Sequence, residues 1–232
     1  MKINHLPHFE VKLPVSHEVV KFRPFVMKEE KLLLLASESG DRESIYLALD
    51  QAIKECSFNT VSCDTHSMVD VQYLFLQVRG KSVGEIIEFN VLCGSCSKSM
   101  PHALNISDIQ VTLNEKHTKI IQLDNDTVVT MNYPKMKHLS SLSNTNLEIN
   151  DIYRMIAECI QKIQTSEEIY TAENSEITDF QEFIDNLTMQ QFEKIKRFFD
   201  TMPRIAHDIK FQCIGCSSNN VINIDEIVNF FG

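Results

Sequence analysis

The chain has 232 residues, 43% of them hydrophobic and 23% charged, with only 6 Gly and 6 Pro. That composition excludes a disordered, fibrous or linker-rich chain and leaves length for one or two packed domains. The net charge of −10 argues against a large nucleic-acid-binding face, which needs clustered Lys and Arg. Residues Met1–Pro14 mix charge, His and Pro with no apolar centre, so no signal peptide is expected there. The longest strongly apolar run, Leu32–Ala36, is far too short to span a membrane. Seven Cys, an odd number, in a chain expected to stay in a cytoplasm argue against a disulfide framework.

In chain order, Phe9–Phe25 alternates apolar and polar residues and predicts strands that stop at Arg23-Pro24. Lys28–Ala36 is rich in helix formers, Ser37–Gly40 breaks it, and Asp41–Cys56 places Ile45, Leu49, Ala52 and Ile53 at helical spacing. Asp70–Val83 fits strand or helix, because its central apolar group, Tyr73–Leu76, is too short to fix a period. Glu85–Leu92, Pro101–Val111 and Lys119–Tyr133 predict strands, the last folded back at Asn125-Asp126. Lys137–Asn146 is a Ser- and Asn-rich connection. Leu147–Ile163 carries isoleucines at three- and four-residue steps and predicts one helix. Another starts near Thr178, and a third at Thr188, where Thr188-x-x-Gln191 has the form of a capping box. Strand character returns over Ile209–Phe231.

Between Glu148 and Asp208 there are 13 acidic and 6 basic residues, so this stretch carries −7 of the net charge. The expected division is an N-terminal α+β region (1–136), an acidic helical insertion (137–208) and a C-terminal hairpin (209–232) that packs on residues 86–111.

The strongest chemical signal is a pair of Cys-x-x-Cys turns, Cys93-Gly-Ser-Cys96 and Cys213-Ile-Gly-Cys216, with 116 residues between Cys96 and Cys213. Two residues between thiols let one tight turn present both sulfurs to one ion, and Gly94 and Gly215 ease that turn. Two such turns, each flanked by strand-like sequence, supply four soft ligands in a tetrahedron, which suits Zn²⁺. The expected fold class is therefore α+β: a mixed β core holding a split, four-Cys, zinc-ribbon-like module, with the acidic helices inserted between its halves. Ser97 and Ser217 stand where such turns favour Gly. Free thiols and a thiol oxidoreductase are the alternatives; a redox pair favours a helix start, whereas both pairs here precede strands. His102 and His117 could substitute for one Cys. Cys56, Cys63 and Cys159 lack partners at ligand spacing, and Cys56 and Cys159 fall on apolar helical patterns. A zinc-ribbon nucleic-acid regulator would need a basic stripe, and Lys98, Lys116, Lys119 and Lys210 are scattered.

Other motifs are weaker. Arg79–Gly84 lacks the order of a phosphate loop, and Glu29, Glu30, Glu38, Asp41 and Glu43 read as a solvated helix face and cap. Nothing assembles a nucleophile, a base and an oxyanion hole, so no catalysis is expected. Phe230 and Phe231 could anchor a partner protein or tuck onto the zinc module; Phe192, Phe198 and Phe199 pose the same choice.

Taken in order, Phe22-Arg23-Pro24-Phe25, Glu29–Leu33, Ala36–Ser39, Asp70, Tyr73–Leu76, Arg79–Glu85, the Cys93/Cys96 turn, Tyr133-Pro134, Phe198-Phe199, Met202-Pro203, the Cys213/Cys216 turn and Phe230-Phe231 span nearly the whole chain. The set resembles the baseplate hub assembly proteins of T-even-type contractile-tailed bacteriophages. The resemblance implies a late, non-enzymatic protein of virion assembly, either a hub subunit or an assembly chaperone. It implies partners among other baseplate hub proteins, and a place in the infected cell's cytoplasm or the tail baseplate. Zinc follows from the Cys spacing, not from the resemblance.

Overall fold

The computed structural model describes residues 6–140 and 149–224. The chain forms two compact units, Met1–Thr112 with Pro203–Gly232, and Leu113–Met202. Both mix helices with antiparallel sheets, so the chain is α+β.

The first unit opens with a hairpin, β1 (Phe9–Lys12) and β2 (Val19–Phe22). Three helices follow: α1 (Met27–Ser39), α2 (Arg42–Cys56) and α3 (Met68–Ser82). Asp41 caps α2 by accepting the Ser44 N–H at 2.8 Å. Glu29 departs from the expected solvated face. It is 2% exposed. One of its oxygens accepts the Val26 N–H at 2.8 Å and the other the Arg23 guanidinium at 2.9 Å, so it caps α1 and holds a buried ion pair together. The segment 70–83 is helix, capped by Ser67. Its buried side chains include Val69, Val71, Gln72, Leu74, Phe75, Leu76 and Val78, on all sides of the helix; a helix buried all round shows no period.

Two further hairpins complete this unit. One is β3 (Ile86–Leu92) with β4 (Ser99–Asn105). A 3₁₀ turn at Ile106–Asp108 leads to β5 (Gln110–Thr112). The other hairpin is β10 (Arg204–Gln212) with β11 (Asn219–Ile224). β5 pairs antiparallel with β10, Thr112 opposite Arg204. The chain thus leaves and re-enters this unit at adjacent points, which is how a long insertion is tolerated.

The second unit is a sheet ordered β6 (Ile120–Gln122), β7 (Val128–Met131), β8 (Ile160–Gln164), β9 (Ile169–Thr171), with helices α5 (Ile149–Glu158), α6 (Ile177–Asp185) and α7 (Met189–Thr201). A short α4 spans Met136–Ser140. The core joins Val129, Met131, Ile160 and Ile163 of the sheet to Ile156, Phe180, Ile184, Ile195 and Phe198 of the helices. The capping box at Thr188 and Gln191 is present. The insertion is therefore not purely helical. The predicted helix over Leu147–Ile163 ends at Glu158, and Ile160 and Ile163 lie on β8. Three residues apart, they would point to opposite faces of a regular strand. A bulge opposite Thr130/Met131 inserts Gln161, re-phases the strand and turns both isoleucines inward. Because β6 and β7 ladder with β8, these strands belong with the helices, and the unit breaks fall at 112/113 and 202/203, where the sequence suggests 136/137 and 208/209.

Candidate metal centre

The β3–β4 and β10–β11 turns have the same build. Strand register ends at Leu92 opposite Ser99 in one and at Gln212 opposite Asn219 in the other. The first Cys of each turn donates its N–H to the residue five ahead: Cys93 to Lys98 O at 3.0 Å, Cys213 to Ser218 O at 2.9 Å. Its own carbonyl accepts from Ser97 at 2.8 Å and from Ser217 at 2.9 Å. The third residue's N–H points at the first sulfur, Ser95 at 3.4 Å and Gly215 at 3.3 Å. Ser97 (φ 56°) and Ser217 (φ 58°) both take the left-handed backbone that Gly would take without strain.

The two turns face each other. Cys93 Sγ lies 3.7 Å from Cys216 Sγ, and Cys96 Sγ 3.6 Å from Cys213 Sγ. All four sulfurs fall within 4.8 Å of one another. With metal–sulfur bonds near 2.3 Å, the edge of a tetrathiolate tetrahedron is about 3.8 Å, so the set is compatible with one bound ion. Cys93 and Cys213 are buried, Cys96 and Cys216 exposed. Beneath them Val91, Met100, Phe89, Phe211 and Ile222 pack into a small apolar base. Each turn also donates to the other hairpin: Gly94 N–H to Asn220 Oδ1 at 2.9 Å, and Ile214 N–H to Met100 Sδ at 3.3 Å. Met100 and Asn220 stand at equivalent places, seven residues after Cys93 and Cys213, so the pair has an approximate two-fold relation.

Polar neighbours tune the sulfurs. Ser218 Oγ lies 3.3 Å from Cys93 Sγ and 3.1 Å from Cys216 Sγ, and Asn220 Nδ2 points at Cys93 Sγ from 3.6 Å. Hydrogen bonding from Ser218 and from the Cys96 and Ser95 N–H groups draws the Cys93 thiol down to about 5. Ser218 also lowers Cys216. The Lys98 N–H pulls Cys96 the same way, but hydrogen bonds to the Cys216 and Cys213 sulfurs outweigh it and push Cys96 up to about 12. Easily ionised thiols at Cys93 and Cys216 thus sit beside the Cys96 thiol, which keeps its proton. A divalent cation is the partner that lets all four ionise together. The Lys98 side chain crosses the second turn, where a Cβ on Gly215 would meet Lys98 Cδ at 2.8 Å.

The other candidates lie elsewhere. The His102 ring sits between Phe89 and Phe211, and the His117 ring between Tyr133 and Phe198, with His117 Nδ1 3.0 Å from Thr201 Oγ1. Neither belongs to the sulfur group. Cys56, Cys63 and Cys159 are fully buried, and burial pushes the thiols of Cys56 and Cys159 up to about 12. Arg79–Ser82 is the last turn of α3, with Lys81 2.8 Å from Glu85, so no phosphate loop forms there. Phe192 and Phe199 pack against the second unit's core, and Phe198 is in it. Phe230 and Phe231 lie outside the described residues. Ser218, Asn220 and Met100 escape sequence reasoning, because single polar or apolar side chains after a Cys turn carry no motif.

No helix among the described residues is long and apolar enough to cross a membrane. Comparison with protein families matches residues 6–232 to the family described as T4 bacteriophage base plate protein. No curated protein and no solved structure matches the chain. The family match covers the two Cys turns, the sheet between them and all of the insertion, and on that extent the chain belongs to the T4 bacteriophage base plate protein family.

Proposed function

We propose that the protein is a non-enzymatic component of the tail baseplate hub, a subunit or an assembly chaperone, that works through protein–protein association and carries one structural Zn²⁺. The observation that carries the metal reading is the meeting of four sulfurs from two hairpins within 4.8 Å. Four protein ligands leave no open position for water, which fits a structural ion and not a catalytic one. Cys93, Cys96, Cys213 and Cys216 would hold the ion, and Ser218 and Asn220 would orient the Cys93 sulfur.

The ion would act as a staple. It ties the middle of the chain to its last strands across the 116 residues between Cys96 and Cys213. Closing a loop of that length is worth about 5 kcal/mol in a chain-entropy treatment. The family supports partners among other baseplate proteins and a place in the assembling tail. Phe230 and Phe231, 14 and 15 positions after Cys216 in sequence, are the proposed anchor residues.

Elemental analysis of the native protein, with thiols counted before and after chelation, tests the metal. About one zinc per chain is expected, with four further thiols becoming reactive on chelation. Absence of metal with all seven thiols reactive would refute it. Co-purification from infected cells tests the role: the native chain should bring down baseplate hub proteins, and Phe230→Ala with Phe231→Ala should not. Capture of no baseplate protein by the native chain would overturn the assignment.

A further inference from the structure

We infer that the turn Leu13–Glu18 is a third knuckle of the same build as the two Cys turns, in which the buried Asp70 carboxylate takes the part that thiolate sulfur plays in the other two. The register is the same: Lys12 pairs with Val19, as Leu92 pairs with Ser99 and Gln212 with Asn219. Leu13 N–H donates to Glu18 O at 2.9 Å, matching Cys93 to Lys98 and Cys213 to Ser218. His17, at the place of Ser97 and Ser217, has φ 61°. Leu13, at the place of the first Cys, is fully buried, as Cys93 and Cys213 nearly are.

The difference lies in what the backbone donors meet. In the Cys93 turn the N–H groups of Ser95 and Cys96 are directed at the Cys93 sulfur. In the N-terminal turn their counterparts, Val15 and Ser16, donate to Asp70 Oδ1 at 2.8 Å and Oδ2 at 3.0 Å. Successive N–H groups aimed at one point need an anion or acceptor. Asp70 is 1% exposed and stands in the first turn of α3, where the helix N-terminus also favours a negative charge. One carboxylate thereby fastens the hairpin to the helix without metal. The second position agrees. Gly94 and Ile214 each donate an N–H across to a partner hairpin, whereas this turn has Pro14, which has no N–H to give.

The first unit would then hold two hairpins by a metal and one by Asp70. The positioning residue is Asp70, and the N-terminal hairpin is predicted to be independent of metal. That contrast rests on the zinc reading above; the role of Asp70 does not.

Hydrogen exchange read by mass spectrometry on the full chain separates the two. Chelation of the unaltered protein should speed exchange in peptides from 86–105 and 204–222 and leave 9–22 as it was. Asp70→Asn should speed exchange in 9–22 about tenfold or more, from loss of charge-assisted hydrogen bonds, with metal content unchanged. The inference is overturned if chelation loosens 9–22 as much as the Cys hairpins, or if Asp70→Asn leaves 9–22 protected. If the native protein carries no zinc, the metal reading fails by itself and the Asp70 arm alone decides. The chelation arm uses the native chain, so a variant that fails to fold does not remove the test.

Discussion

Ser97 and Ser217 are the sharpest place to test the knuckle geometry. Each holds a left-handed backbone, φ 56° and 58°. That conformation costs an L-residue about 1–2 kcal/mol. Gly takes it freely, but its greater freedom in the unfolded chain returns about 0.5–1 kcal/mol of that gain. Neither serine side chain is needed for the turn, because its closing bonds are backbone bonds, Ser97 N–H to Cys93 O and Ser217 N–H to Cys213 O. Ser97→Gly and Ser217→Gly should therefore each stabilise the folded protein by about 0.5–1 kcal/mol. The double variant should gain about 1–2 kcal/mol, somewhat less if the facing turns couple. For a chain of this length that is a rise in Tm of about 2–8 °C. Thermal unfolding with metal bound, alongside unchanged metal content, is the assay. A fall in Tm in either single variant would refute the reasoning, since it would mean that the left-handed backbone is not where the serines cost stability. His17→Gly extends the test to the N-terminal turn, with a gain of the same size expected.

Three other perturbations probe separate contacts. Ser218→Ala removes the hydroxyl beside Cys93 and Cys216 and should weaken zinc retention against a competing chelator by about tenfold, while leaving four ligands in place. Glu29→Ala takes the closest carboxylate from the nearly buried Arg23 guanidinium, which keeps Glu55 at 3.7 Å and the Pro24 carbonyl at 3.0 Å, and uncaps α1, so it should cost about 2–4 kcal/mol in denaturant unfolding. Burial alone would raise the Glu29 carboxyl, but the bonds from Arg23 and the Val26 N–H hold it below the usual carboxylate value. Its contribution is therefore full above the unfolded pKa and is lost as pH falls through the lower folded value, an acid-side loss that Glu29→Gln should abolish. His138 in the second unit is 4% exposed, and burial lowers its pKa more than Glu158 raises it. Its Nδ1 accepts the Lys135 N–H at 3.2 Å, so the folded state keeps the ring neutral. A His with a depressed folded pKa contributes stability above its unfolded value, near 6.5, that disappears as pH falls through the folded one. Unfolding followed from pH 7 to 5 should show this loss, and His138→Gln should flatten it.

Much of this molecule is legible in its sequence because the signals are local and chemical. A Cys-x-x-Cys turn needs few residues, and two of them name their own partner. Asp41 and Thr188 announce helix starts through side chains that cap the backbone directly. The isoleucines of 149–163 mislead for a definable reason. Three-residue spacing means one face of a helix, and it also means one face of a strand that carries a bulge. Only the partner strand, Val128–Met131, decides between them, and it lies some thirty residues away. Glu29 misleads in the same way: a carboxylate in a charged helix start is ordinarily solvated, and only Arg23, folded back over it, makes burial tolerable. The third knuckle leaves no trace in residue identity at all. What its turn shares with the other two is a backbone path and a need for an acceptor, and the acceptor that meets this need is Asp70, 54 positions on from Ser16. A Cys sulfur that a metal would hold and a carboxylate at a helix N-terminus solve the same electrostatic problem, two N–H groups that must find negative charge. Sequence patterns record the residues that solve such a problem, and the fold records the problem itself.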